Sequence, residues 1–259
     1  MFYRVDYQLG VLIAGFIVGI LFSRRSENAD PHQVARLYYA VIATLLVLRT
    51  VAFFGSMLTH YQDFWNTAGG LTGDISSLLY GALFGLSARR KDARKLLTDP
   101  VILSALSMTL AFTFAIAGTA KAFSMTPMTE FFTQSGYSTT FLKFIVFAEV
   151  FGAIGLLLPW ALAPALGGLT VDMFGAVVTH VRNGDPLNDS TGAIDLLIRL
   201  AVLGVLLMLS SRRESQRTIR GAVLAVGTIG LVCLLFAVGG SVAMRHHTQP
   251  ASISAGSHE

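Results

Sequence analysis

Cysteine is all but missing from this 259-residue chain: Cys233 stands alone, inside an apolar run. One thiol excludes a disulfide, a CxxC redox pair, a thiolate metal site and a CxxCH haem attachment. Cys233 reads instead as a small core or lipid-facing residue. Charge is scarce as well, at 13% of residues, about half of what a soluble domain carries. The formal net charge of +4 does not make a nucleic-acid partner. Most Lys and Arg sit in short loops between apolar runs, the pattern of a membrane protein with basic inward loops. No haem, flavin or iron–sulfur motif is present, and no metal site is expected.

Apolar residues make up 53% of the chain, and its mean hydropathy is +0.63. Stretches near 20 residues recur, long enough for a hydrocarbon core of about 30 Å. The expected fold is all-α, a polytopic transmembrane helix bundle of about eight spans: 8–22, 34–58, 70–88, 100–122, 140–158, 162–182, 192–210 and 220–243. The first is read as a retained helix rather than a signal peptide, because Arg24 and Arg25 follow its apolar run instead of preceding it. With the N-terminus outside, eleven cations (Arg24, Arg25, Arg89, Arg90, Lys91, Arg94, Lys95, Arg212, Arg213, Arg217 and Arg220) fall inside, against Arg4, Arg182, Arg245 and Lys121 outside.

Smaller signals fit this frame. Thr126 and Pro127 predict a cap and first helical position in the outward loop between spans four and five, with Phe131 and Phe132 in the interface and Glu130 facing water. Tyr61, Trp65 and Trp160 read as an aromatic belt. The tail after Met244 is polar and reads as solvated, His246 and His247 included.

Ionisable residues inside the spans are the strongest functional signal, because each costs several kcal/mol unless it is paired or faces a cavity. Glu149 lies about nine residues into span five, roughly 13 Å deep, and Asp172 about ten residues before the end of span six, roughly 15 Å deep. The two spans form a hairpin across the short loop 159–164, so both acids are expected at one level on adjacent helices. Arg49 falls at a similar depth, and Lys121 can reach down from the outer end of span four. Lys143, His60, His180 and Arg199 lie in the same outer half, while the inner half has no comparable residue. An outward-facing polar pocket floored by Arg49, Glu149 and Asp172 is therefore expected, rather than a conduit. Two acids and one arginine leave a surplus negative charge: either Lys121 or Lys143 joins them, or one acid carries a proton.

Each group also has a structural reading. Asp74 reads as a helix cap, Asp195 and Arg199 as a pair along one helix, and Lys143 and Arg182 as snorkelling cations. His180 reads as an interfacial histidine bonded to a loop, with a ligand or proton-carrier role as the alternative. For Arg49, Glu149 and Asp172, an ion-pair network holding the bundle and a functional site remain equally open. The small residues Gly152, Gly155, Gly167, Gly168 and Gly175 read as close helix packing.

Taken in order, AGTAKAF at 117–123, FAEVFGAIGLLLP at 147–159 and GGLTVDMFGAVVTHVRNG at 167–184 resemble the DoxX-like membrane family over about residues 100–211. The resemblance implies a four-helix module there. Around it lie an N-terminal three-helix region at 1–99, a C-terminal helix at 212–245 and a polar tail at 246–259, which match nothing in the family. It also implies an association with redox chemistry, since relatives include a subunit of a terminal quinol oxidase and one of a thiosulfate:quinone oxidoreductase. Lys121 and Glu149 match the family's lysine and glutamate; Asp172 and His180 rest on depth alone.

The leading expectation is a quinone-linked redox protein of the bacterial inner membrane, crossing it several times with both termini outside. Glu149, Asp172 or His180 would exchange protons, Lys121 or Arg49 would bind an oxyanion, and a partner protein would take the electrons. The alternative is a non-catalytic accessory subunit of a respiratory or photosynthetic membrane complex. Either way the partners are lipids and other membrane subunits. A transporter fits less well, since no inverted repeat is apparent.

Overall fold

In the computed structural model, which describes residues 5–26, 29–58, 62–123 and 125–210, every regular element is an α-helix. In order they are α1 (Val5–Ser26), α2 (Pro31–Leu58), α3 (Gln62–Ser87), α4 (Ala93–Leu97), α5 (Pro100–Phe123), α6 (Met125–Gln134), α7 (Thr139–Leu157), α8 (Leu162–Asn183) and α9 (Leu187–Ser210). Among the described residues, five stretches are long and apolar enough to cross a membrane: Pro31–Ala52, Pro100–Ala122, Thr139–Leu157, Leu162–Asn183 and Asp189–Ser210. They coincide with five of the expected spans. The span expected over 220–243, with Cys233 and the two tail histidines, lies outside the described residues, as do His60 and Tyr61.

Two expected spans are helical but not among these five. The apolar part of α1 is short, Leu9–Ser23. Helix α3 starts at Gln62, well before the expected position, and its Gly, Ser, Thr and Asp residues dilute its hydropathy. Asp74 therefore lies mid-helix and caps no N-terminus, which corrects the cap reading. The two helices pack on each other intimately. A Cβ added to Gly15 or Gly19 of α1 would run into the carbonyl oxygens of Leu78 and Ala82. One added to Gly81 or Gly85 of α3 would meet those of Leu12 and Phe16. Each helix thus offers a GxxxG face to the other. Backbones come together this closely only where side chains are absent, and in lipid such packing replaces the hydrophobic force that water would supply.

Helix α5 is the central element and the most buried of the membrane-length helices. Its Ile102, Leu106, Leu110 and Phe114 meet Leu156 of α7, Leu169 of α8, and Leu200 and Leu203 of α9 in one apolar core. From α5 the chain packs in sequence, α5 on α7, α7 on α8 and α8 on α9, and α9 returns to α5. On its other side α5 carries α2, which in turn packs on α3. Arg199 of α9 joins the two halves. Its Nε donates to Asp195 Oδ1 at 3.0 Å, its Nη2 donates to Ser77 Oγ of α3 at 3.0 Å, and its guanidinium lies 5.2 Å from the Tyr80 ring centre. The expected Asp195–Arg199 pair forms, but Arg199 is buried between helices rather than laid along a surface.

The short helices mark opposite ends of the bundle: α4 connects α3 to α5 at one end, and α6 connects α5 to α7 at the other. Helix α6 begins at Met125, slightly before the position that Thr126 and Pro127 suggested.

Candidate functional site

Glu149 sits in the middle of α7 and is 1% exposed. A lone carboxylate there would be costly, and the chain supplies a cation from the last turn of α5. Lys121 Nζ donates to both Glu149 oxygens at 2.6 Å, a charge-assisted pair. Gly118, one turn earlier on α5, makes this possible. A Cβ there would lie 2.9 Å from Val150 Cγ2 and 3.2 Å from Glu149 Cβ, so its absence lets α7 close on α5. The lysine side chain runs from the buried pair toward the α6 end, where it is 26% exposed.

Asp172 joins through the register of the α7–α8 hairpin. The turn between the helices is closed by Ala161 N–H donating to Leu158 O at 3.0 Å. Gly152 of α7 lies against the Leu169 side chain, and Gly155 against Ala165 Cβ. In this antiparallel register, stepping back from Gly152 reaches Glu149 as stepping forward from Leu169 reaches Asp172, so the acids share one level. The charges that act on Asp172 are those of Glu149 and Lys121. Its Oδ2 is sealed from solvent and has no hydrogen-bond partner among the described residues. A buried oxygen without a donor is uncommon, and Asp172 is the acidic residue left in that condition here.

The other two candidates go elsewhere. The Arg49 guanidinium lies 5.6 Å from the Phe112 ring centre on α5, and a Cβ on Gly73 of α3 would sit 3.7 Å from its Cζ. Phe112 and Lys121 are nine residues apart, so they face opposite sides of α5. Arg49 is therefore across that helix from the Lys121–Glu149 pair. His180 Nδ1 lies 2.7 Å from Asp185 Oδ2, and its ring centre 5.6 Å from that of Phe131. The cause is local. Gly184, at φ +74, ends α8 in a Schellman motif, with Asp185 N–H donating to His180 O at 3.1 Å and Gly184 N–H to Val181 O at 3.2 Å. That motif brings the side chains of positions 180 and 185 together.

Around His180 the α6 end closes with aromatic and polar links that sequence reasoning did not assemble. Tyr137 OH lies 2.9 Å from Thr179 Oγ1, one residue before His180. The Tyr137 ring stacks on Phe141 at 5.1 Å, and the Arg182 guanidinium lies 5.1 Å from its centre. Arg182 also donates to Ser135 O, and Asn183 Nδ2 to Ser135 Oγ at 2.8 Å. Arg182 is thus tied to the α6–α7 turn rather than reaching freely to headgroups, while Lys143 is exposed. The signal for this cluster was the second Schellman turn, Gly136 at φ +82, which sets Tyr137 facing α8.

Lysine, glutamate and close-packing glycine now stand in a defined arrangement on α5, α7 and α8, and a comparison with protein families matches the same helices. Residues 105–210 match the DoxX-like family. The match spans α5 through α9 and leaves α1–α4 outside it. No significant match to a curated protein or to a solved structure accompanies it. Within the DoxX-like region, Lys121 of α5, Glu149 of α7 and Asp172 of α8 bring a half-buried cation and two acids to one level. The described residues contain no group of three His, Cys, Asp or Glu side chains suited to a metal ion.

Proposed function

We propose that the protein serves quinone-linked redox chemistry in the membrane, with Lys121, Glu149 and Asp172 as its polar centre. The observation that carries this reading is the asymmetry of the two acids: Glu149 is neutralised by Lys121, while Asp172 Oδ2 is left without a donor beside it. An unpaired carboxylate oxygen next to an ammonium suits a ligand that brings a hydroxyl hydrogen to one and an oxyanion to the other. A hydroquinone does both. On oxidation to the quinone it releases two protons and two electrons. Asp172 would accept the first proton, pass it on and then accept the second, while Lys121 would stabilise the phenolate formed between the two steps. The electrons would pass to a partner protein. His180, eight residues or ~12 Å further along α8, would release protons at the α6 face. Arg49 has no part in this reading.

The same reading takes residues 100–211 as a four-helix module in a bacterial inner membrane, in a chain of eight spans with both termini outside. Single cysteines introduced into Cys233→Ser protein and labelled from either side test that topology.

Quinone binding tests the function. Full-length protein in detergent should bind a short-chain quinone stoichiometrically, and Asp172→Asn should weaken this about tenfold, the loss of one charge-assisted hydrogen bond. Stoichiometric association with a large membrane complex, with no quinone extracted, would favour the accessory-subunit role instead. Quinone binding and assembly that both survive Glu149→Gln would remove the centre from either reading.

A further inference from the structure

The α4 end of the bundle carries a charge cluster that the acid centre does not use. Between the end of α3 at Ser87 and the start of α5 at Pro100 stand Arg89, Arg90, Lys91, Arg94 and Lys95, against the single carboxylate of Asp92 within that run and Asp99 at its end. Both acids are engaged. Arg90 holds Asp92 in a two-bond fork, Nε to Oδ1 at 2.8 Å and Nη2 to Oδ2 at 3.0 Å. Asp99 Oδ2 lies 3.0 Å from His32 Nδ1. Arg89, Lys91 and Lys95 are exposed and have no ion-pair partner among the described residues.

The segment is built rather than loose. Arg90 is 6% exposed, and its Nη2 also donates to Ala29 O at 2.7 Å. Leu96 is fully buried in the core shared with α5, and Arg94 Nη2 donates to Leu209 O of α9 at 3.2 Å. A fixed backbone therefore presents several unneutralised cations at the level where α2, α3, α5 and α9 begin or end.

We propose that this segment binds the headgroups of anionic phospholipids. Apolar surface beside the charges selects a lipid over a free anion. Leu209, whose carbonyl anchors Arg94, is 45% exposed, Met208 57%, and Leu37, one residue past Arg36 on α2, 68%. Acyl chains lying on these side chains would bring a phosphate to the height of Lys91 and Lys95. Cations clustered at the end of membrane helices attract anionic lipid in this way, each contributing about as much as the next and all weakened by salt.

Native mass spectrometry of the full chain in neutral detergent tests this, using phosphatidylglycerol and phosphatidylcholine of identical acyl chains. Phosphatidylglycerol should be retained roughly tenfold better or more, with the preference lost in high salt. Arg89→Gln with Lys91→Gln and Lys95→Gln should abolish it, leaving Arg90 and Arg94 to hold the backbone. Lys143→Gln, at the opposite end, should not. Equal retention of both lipids by the native protein would overturn the proposal whether or not the triple variant folds. So would a preference that survives the triple variant or falls equally in Lys143→Gln. Displacement of phosphatidylglycerol by millimolar inorganic phosphate would assign the cluster to a soluble anion.

Discussion

Glu149 and Asp172 stand at one level across the seam between α7 and α8, yet only Glu149 has a cation bonded to it, Lys121 at 2.6 Å. The two acids should therefore respond to substitution in opposite ways.

Breaking the pair from the lysine side leaves a carboxylate that is 1% exposed without a counter-charge. Lys121→Met should cost about 3 kcal/mol or more, the range for an orphaned buried charge. Combining it with Glu149→Leu should recover most of that loss, because the uncompensated charge disappears with its partner. Denaturant titration in mixed micelles of both single variants and the double variant closes the cycle. A double variant as unstable as the sum of the singles would show that the helices, not the charges, depend on these side chains.

Asp172→Asn should be neutral or stabilising by up to about 1 kcal/mol, since the substitution removes a carboxylate whose Oδ2 receives no hydrogen bond. Quinone binding weakened about tenfold without loss of stability is the expected combination. Unfolding measured beside binding separates it from simple collapse of the site.

The α1–α3 interface tolerates no side chain at its glycines. Gly15→Leu or Gly81→Leu should force the two helices apart and cost several kcal/mol, whereas Gly10→Ala, with open space around its Cβ position, should change little. A disulfide engineered between α1 and α3 in each background reads the separation directly. Efficient cross-linking in Gly81→Leu would contradict the packing.

Gly184 stands at φ +74, where a Cβ is strained. Gly184→Ala should destabilise by about 1 kcal/mol and loosen the His180–Asp185 contact. The His180 ring resonances, followed by NMR at fixed pH, should then move toward their positions in Asp185→Asn.

The Arg90 fork holds the Asp92 carboxyl below the usual aspartate range. A depressed folded value means the contribution is complete above the ordinary value near 3.8 and fades as pH falls through the folded value. The loss should be small because Asp92 is half-exposed and screened. It should vanish in Asp92→Asn, whose thermal stability profile in detergent should be flatter below pH 4.

Much of this architecture was legible in the chain. The long apolar runs of α2, α5, α7, α8 and α9 leave few alternatives in lipid, and the short hairpin at 159–164 fixed Glu149 and Asp172 at one depth. Depth, however, says nothing about which side of a helix a residue occupies. Arg49 was expected at the level of the acids but lies against Phe112, half a turn around α5 from Lys121. The start of α3 was hidden by the glycines at 69–70, which usually end a helix and here continue one. The His180–Asp185 contact was readable in principle, since Asn-Gly-Asp after a helix predicts a left-handed turn that folds the sixth residue back on the first.

Gly118 has one consequence beyond packing. With no side chain there, α7 closes on α5 directly beside Glu149, and the Leu169 side chain fills the corresponding space at Gly152. Of the Lys121–Glu149 pair only the lysine reaches the surface, 26% exposed against 1%, so an approaching polar group meets the ammonium before the carboxylate.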